Sequence, residues 1–346
     1  MTLLYANGFD ALTGLATAQL RTYLQAEGWF FQQIDHFGLT TGVYGGSAMY
    51  VGGAAGIGPY QNRRPFEKGA ISEDSVILAA RITHPGGDPG ESSKLCLYRD
   101  LTPVIYIDFA TTGRIRCVCN GVTSYSRAGV VNSGGVVMAS LEYRFSDGYF
   151  KVIVGGDTVI EVATSTVGLN TYVDGWGMQT YWTWAGMVVD DVYCLQTDDV
   201  APNSVLGNVR VRSHLVVANG DVIQLDPVNA ATNYLAVQSP NLSKTSYVTT
   251  SVVGEYDLYQ MADGSVSRII YGVSARVGAW QGDATQLRVS AILKTEATEY
   301  ENDSIATQSN RRVYAFNWGN NPYTGVAWTN EEINAVQVGG KLASVA

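Results

Sequence analysis

Apolar and polar positions alternate with a period of two along most of the chain, in runs broken by Gly, Asp and Asn. That period places one set of side chains on a buried face and the other on an open face of a β-strand. It predicts strands at Ser75–Ile82, Lys94–Arg99, Pro103–Phe109, Arg114–Cys119, Val136–Arg144, Tyr149–Val154 and Thr158–Val162, with a last strand of this half inside Trp182–Leu195. Thr112-Gly113, Ser146-Asp147-Gly148 and Gly155-Gly156-Asp157 are the turn signals between them. Strands recur roughly every 8–12 residues, the spacing of a sandwich. The fold class read from this pattern is all-β, with two antiparallel β-sandwich domains.

The polar, proline-bearing stretch Thr197-Asp198-Asp199-Val200-Ala201-Pro202-Asn203-Ser204 is the best linker. It divides the chain into a sandwich over 1–200 and a smaller β-rich domain over 205–346. The second half is expected to open with a strand at Gly207–Arg212. Further strands are expected at Tyr247–Val253, Val266–Val277, Gln286–Leu293 and Arg312–Trp318. Helical signals are few. Leu12, Leu15, Leu20, Tyr23 and Leu24 could share one helix face, interrupted by Gly14. A short C-terminal helix starts at Thr329, where Glu332 completes a capping box, and Gly339-Gly340 is read as its stop.

Composition changes the picture in one respect. Only 15% of the 346 residues are charged, against 46% hydrophobic, and a surface so poor in charge suits a protein covered by neighbours, a homo-oligomer or a larger assembly. The net charge of −9 and the lack of any run of Lys and Arg beyond Arg63-Arg64 and Arg311-Arg312 argue against a nucleic-acid partner. Residues Met1–Asp10 show neither the basic nor the apolar segment of a secretory leader, and no apolar run is long enough for membrane insertion. Cys96, Cys117, Cys119 and Cys194 lack the paired spacing of a zinc site and read as buried free thiols, in keeping with a reducing cytoplasm.

Two stretches carry a resemblance. Val188-Val189-Asp190-Asp191-Val192-Tyr193 leads through the polar segment into Leu206-Gly207-Asn208-Val209-Arg210-Val211. Asn321-Pro322-Tyr323-Thr324-Gly325-Val326-Ala327-Trp328-Thr329 leads into Glu331-Glu332-Ile333-Asn334. Together with Tyr5-Ala6-Asn7-Gly8-Phe9-Asp10 and Tyr256-Asp257-Leu258-Tyr259, the chain resembles tailed-bacteriophage virion proteins, tail, fibre or minor structural, built on a concanavalin-A-like, laminin-G-like or jelly-roll sandwich. The stretch from Asp10 to Gly46 does not fit that pattern. The resemblance implies a structural bacteriophage protein of the tail or its tip, partnered by itself and other virion proteins, assembled in the host cytoplasm, with no enzyme activity and no cofactor. The alternatives are a host adhesin that grips a surface glycan and a capsid decoration protein.

Candidate sites are sparse. Asp190-Asp191 could offer oxygen ligands to calcium, but strand neighbours face opposite sides, and a strand-end carboxylate bonding loop backbone is the favoured reading, so no metal is assigned. Tyr172, Trp176, Tyr181, Trp182 and Trp184 form a dense aromatic group, read as core or interface; the competing reading uses Trp176 or Tyr181 as a stacking platform for sugar rings. His36, His84 and His214 lie in no nucleophile setting, and no catalytic residue is assigned. Asp198-Asp199 read as solvated linker, Gly52–Gly58 as a loop rather than a dinucleotide turn, and the sequons at Asn241 and Asn302 as chance matches.

Overall fold

The structure is a computed structural model that describes residues 2–13, 15–31, 37–43, 47–51, 60–66, 69–72, 74–83, 93–132, 134–162, 170–180, 187–197, 205–239, 245–264, 269–282 and 286–345. The chain divides into two compact units, residues 1–13 with 29–212 and residues 14–28 with 213–346. Both are antiparallel β structures, as the period-two runs predict. Among the described residues no helix is long and apolar enough to cross a membrane.

The first unit is a two-sheet sandwich. Its strands are β1 (Thr2–Asn7), β2 (Phe30–Phe31), β3 (Phe37–Thr41), β4 (Ser47–Val51), β5 (Tyr60–Pro65), β6 (Ser75–Thr83), β7 (Ser93–Arg99), β8 (Thr102–Ala110), β9 (Arg114–Cys119), β10 (Val122–Tyr125), β11 (Val136–Arg144), β12 (Phe150–Val154), β13 (Asp157–Val162), β14 (Gly175–Thr180) and β15 (Met187–Thr197). Among the described residues, one sheet runs β13-β12-β11-β6-β15-β4-β3, with β1 added along β15, and the other runs β10-β9-β8-β7-β14-β5-β2. Tyr5, Leu78, Leu141 and Cys194 from the first sheet and Leu95, Leu97, Ile105, Ile107, Cys117 and Trp176 from the second are all buried. Burying a large apolar side chain is worth roughly 1.5–3 kcal/mol, so this layer is a major stabilising contribution to the unit.

The second unit contributes α1 (Thr17–Ala26), β16 (Val216–Ile223), β17 (Asp226–Val228), α2 (Asn233–Val237), β18 (Tyr247–Thr249), β19 (Asp257–Met261), β20 (Val273–Ala279), β21 (Leu287–Thr295), β22 (Thr298–Glu301), β23 (Ile305–Ala306), β24 (Arg312–Trp318), α3 (Asn330–Ala335) and β25 (Gln337–Val345). A sheet ordered β16-β19-β25-β21-β22, with β23 also on β21, packs with the β20–β24 pair through Ala291, Leu293, Tyr314, Phe316, Trp318, Trp328 and Ile333. The interrupted helix resolves cleanly: a 3-10 turn at Asp10–Leu12 precedes Gly14, and α1 begins after it, with the Gln19 side chain accepting from the Ala16 amide. Glu27, just past α1, is paired with Arg276 of β20 at 3.0 Å.

Several expectations are corrected. The strand expected at Tyr247–Val253 ends at Thr249, and the one expected at Val266–Val277 is, among the described residues, a strand only from Val273, running to Ala279. Gly207–Arg212 is no strand: its polar backbone bonds to side chains instead, as Arg81 Nη2 donates to the Val209 carbonyl at 2.8 Å and the Val211 amide donates to Asp191 Oδ1 at 2.8 Å. At the other end, α3 has the expected capping box, with Thr329 Oγ1 accepting from the Glu332 amide and Glu332 from the Thr329 amide. However, Gly339-Gly340 do not stop it; α3 ends at Ala335 and both glycines lie inside β25. A Cβ on Gly339 would stand 1.6 Å from the Asp257 carbonyl oxygen, so the glycine is there to let two strands approach.

Candidate functional site

The Asp190-Asp191 pair sits inside β15, not at its end. Asp191 has φ 47°, and the register with β6 shifts between Asp190 and Tyr193. That bulge breaks the alternation that would have sent the two carboxylates to opposite faces. Both are buried. Asp191 Oδ2 accepts from Arg81 Nε at 2.8 Å, and Asp190 Oδ1 accepts from the Asp191 amide at 2.8 Å. Arg81 also donates to Asn208 Oδ1 at 2.7 Å. Burial, reinforced by the neighbouring Asp191 charge, pushes the Asp190 carboxyl up to about 6. Asp10 moves in the same direction, chiefly through burial, while its Oδ1 accepts from the Ser47 amide at 3.1 Å. Asp191 thus bonds loop backbone, as the favoured reading held, and it fastens the 205–211 segment onto the outer side of the first sheet, where Val205, Leu206 and Val209 pack on Ile77, Tyr193 and Leu195. Among the described residues no group of three or more His, Cys, Asp or Glu side chains converges to hold a metal ion.

The aromatic group separates. Trp176 is fully buried, its ring 5.1 Å from Tyr5 and 4.9 Å from Trp29. It is core and offers no stacking platform. Tyr172 is partly exposed and its hydroxyl donates to the Asp100 carboxylate. Tyr181, Trp182, Trp184, His36, His84, Asp198-Asp199, Gly52–Gly58 and the Asn241 sequon lie outside the described residues. His214 Nδ1 is 2.7 Å from the Ala262 carbonyl oxygen. Asn302 uses its side chain internally, donating to the Asn317 carbonyl. All four cysteines are free and buried; burial raises every thiol, Cys119 to about 12. They are therefore inert.

Cross-strand register assembles what the linear sequence scatters. In the second sheet Gln61 of β5 pairs with Gln179 of β14, Gln179 with Lys94 of β7, Lys94 with Asp108 of β8, Asp108 with Arg116 of β9, and Arg116 with Tyr125 of β10. Directly opposed residues share a face. Trp176, Leu97 and Ile105, one residue out of phase, form the core side, so this row lies on the outer side of the sheet, where Gln179, Asp108 and Arg116 are buried and Gln61, Lys94 and Tyr125 are at least partly exposed. It crosses six strands, roughly 24 Å at the usual strand separation. Arg116 Nε donates to Asp108 Oδ1 at 3.0 Å and Nη2 to Oδ2 at 2.5 Å, a two-pronged pair that fixes both. The next row on the same face holds Arg63, Cys96, Tyr106 and Val118. Lys94 Nζ sits 4.2 Å from the centre of the Tyr106 ring, and the Arg63 guanidinium 5.4 Å from that of Phe30. Phe30 and Tyr125, at opposite edges of the sheet, are each 51% exposed. The Gln179 side-chain oxygen is buried and meets no donor.

The strands hid this face because each contributes one or two polar residues to it. The signal was present in Lys94 before Leu95-Cys96-Leu97, in Asp108 interrupting Ile105–Phe109, and in Arg114-Ile115-Arg116-Cys117. Without the pairing register these looked like ordinary solvent-facing positions. The sequence carries no Lys/Arg run, yet the sheet brings Arg63, Lys94, Arg114 and the Asp108-paired Arg116 onto one face.

No protein-family model and no curated protein matches the chain. Among solved structures it is similar to a sialidase (TM-score 0.44, 9% identity, 57% of this chain covered), of which the chain spans only 19%. It is also similar to a carbohydrate esterase from Shiga toxin-encoding bacteriophage phi24B, with a TM-score of 0.41 and 9% identity over 56% of this chain and 97% of that one. A carbohydrate-binding module from Bacillus subtilis aligns with a TM-score of 0.35 and 13% identity over 49% of this chain and 96% of the module.

Proposed function

We propose that the first unit is a carbohydrate-recognition module that binds its glycan along the outer face of the β10-β9-β8-β7-β14-β5-β2 sheet, and that it binds without cleaving. The observation that carries the reading is the transverse row from Gln61 to Tyr125. Sugar rings need hydrogen-bond partners held in fixed positions and apolar faces to lie against. The row offers the half-buried Gln61 and Lys94 and the exposed ring of Tyr125, with Tyr106 and the exposed Phe30 beside it in the next row. The buried Gln179 and the buried Asp108–Arg116 pair stiffen the face from beneath. Rigid strands hold all of them. In a glycan array, the wild type is expected to retain a defined oligosaccharide set, and Tyr125→Ala to weaken it about 2- to 10-fold, the value of one ring contact. Because Tyr125 is exposed, the variant should melt with the wild type. A wild type that retains no glycan, or release of reducing ends from a bound polysaccharide, would overturn the reading.

A second observation supports the particle-subunit reading. The second unit exposes Leu215, Val217, Val252, Val253, Ile269 and Val326, each at 42% or more. Apolar positions so frequent on a chain with 15% charged residues suit burial against a second copy of the chain. We infer a homo-oligomeric virion component of tail type in which the second unit assembles and the first recognises a host-surface glycan. Light scattering coupled to size-exclusion chromatography should show a multimer that Val253→Asp with Ile269→Asp shifts toward monomer; a wild type that elutes as monomer at all concentrations removes this part.

A further inference from the structure

The charge of the two sheets is opposite, and the difference says what kind of glycan the outer face takes. The strands of the β1-bearing sheet carry three Lys or Arg (Arg81, Arg144, Lys151) against five Asp or Glu (Glu142, Asp157, Glu161, Asp190, Asp191). Those of the other sheet carry six Lys or Arg against the single carboxylate of Asp108. Four of the six, Arg63, Lys94, Arg114 and Arg116, lie on its outer face by strand alternation and register, with Arg116 buried there. Asp108 neutralises Arg116. Arg63 and Arg114 have no carboxylate partner among the described residues, and Arg114 is exposed. In a protein of net charge −9 this is a local reversal of sign on the very face that carries the binding row.

We propose that the ligand is an anionic polysaccharide, one bearing carboxylate or sulfate groups along a chain of sugar rings. This rests on the face being the glycan site. Arg63 and Arg114 would meet the acidic substituents, since a guanidinium presents paired donors that match a carboxylate or sulfate. Lys94, stacked on Tyr106, adds a point charge mid-row. The half-buried Gln61 amide and the exposed rings of Phe30 and Tyr125 give sugar rings a hydrogen-bonding group and two apolar faces, whereas the buried Gln179 and Asp108 do not reach a ligand. The overall negative charge makes attraction short-ranged and dependent on the local cations, hence sensitive to salt.

The test is titration of the full chain with polygalacturonate and heparin as anionic polysaccharides, dextran as a neutral one, and single-stranded poly(dT) as a non-sugar polyanion. Either anionic polysaccharide should bind at least roughly ten-fold more tightly than dextran and than poly(dT). The preference should collapse when NaCl rises from about 0.1 M to about 1 M, which shortens the screening length from ~10 Å to ~3 Å. The double variant Arg63→Gln with Arg114→Gln should lose about 3- to 30-fold for the anionic polysaccharide and nothing for dextran. Its circular dichroism and melting curve should match the wild type, because both side chains are outside the core. Dextran bound as tightly as the anionic chains, with the arginine variant unaffected and Tyr125→Ala weakened, overturns the charge assignment and leaves the face as a glycan site. Equal or tighter binding of poly(dT) overturns it in favour of a nucleic-acid surface. If no polysaccharide is bound, and none is retained on the array, the glycan site itself falls.

Discussion

Asp191→Asn is expected to cost about 3–5 kcal/mol of stability, the loss typical of a buried ion pair broken on one side. The side chains of Arg81 and Asp191 are 6% and 3% exposed, so the guanidinium would be left charged with water almost excluded. Asparagine is the informative replacement, because it tolerates the positive φ of 47° that alanine would find strained. The same carboxylate holds the Val211 amide, so chemical denaturation should show the lowered stability and limited proteolysis should show faster cleavage within 205–212. A loss under about 1 kcal/mol would mean the pair is not the fastening it is taken for. Asp190 makes the contrast. Its folded-state value, about 6, lies above the ordinary 3.8. Between those values the native state holds a proton the unfolded chain has released, so stability falls as pH rises from about 4 to about 6 and is then flat. The shift corresponds to about 3 kcal/mol, and Asp10 adds a slope of the same sign. Asp190→Asn should flatten much of that slope, whereas Asp191→Asn should lower stability through the lost pair with Arg81.

The elements legible in the sequence were those whose pattern is local. Val136–Arg144 matches β11 residue for residue, and the Thr329–Glu332 box starts α3 as its side chains require. Where partners decide, local pattern misled. Gly207–Arg212 alternates like a strand, yet Arg81 and Asp191, far away in sequence, take its backbone groups. Gly339-Gly340 resemble a helix stop, yet they serve the close pairing of β25 with β19 and β21. The bulge that turns Asp191 toward Arg81 and the 205–211 segment leaves no mark in Val188–Tyr193. The outer-face row was the least legible feature of all. Its six members come from six strands between residues 61 and 179, and only the register of five separate pairings aligns them.

Trp176→Ala should separate stability from recognition, because the tryptophan that invites a sugar-stacking role points the other way. Trp176 pairs with Leu97 of β7 and Arg64 of β5, on the core side of its sheet. Its ring is 0% exposed and wedged against Tyr5 at 46° and edge-on to Trp29 at 79°. Truncation there empties the volume of an indole in the middle of the sandwich, and the neighbours are held by two sheets that cannot collapse into it. The expected cost is about 3–5 kcal/mol, read as a lower denaturation midpoint for the first unit with an unchanged slope. Tyr125, on the outer face, should behave in the opposite way: alanine there weakens glycan binding with little change in stability, since exposed substitutions usually lie within about 0.5 kcal/mol. The two variants form a crossed pair. If Trp176→Ala melts with the wild type and loses glycan binding, while Tyr125→Ala does neither, the two faces of this sheet have been assigned the wrong way round.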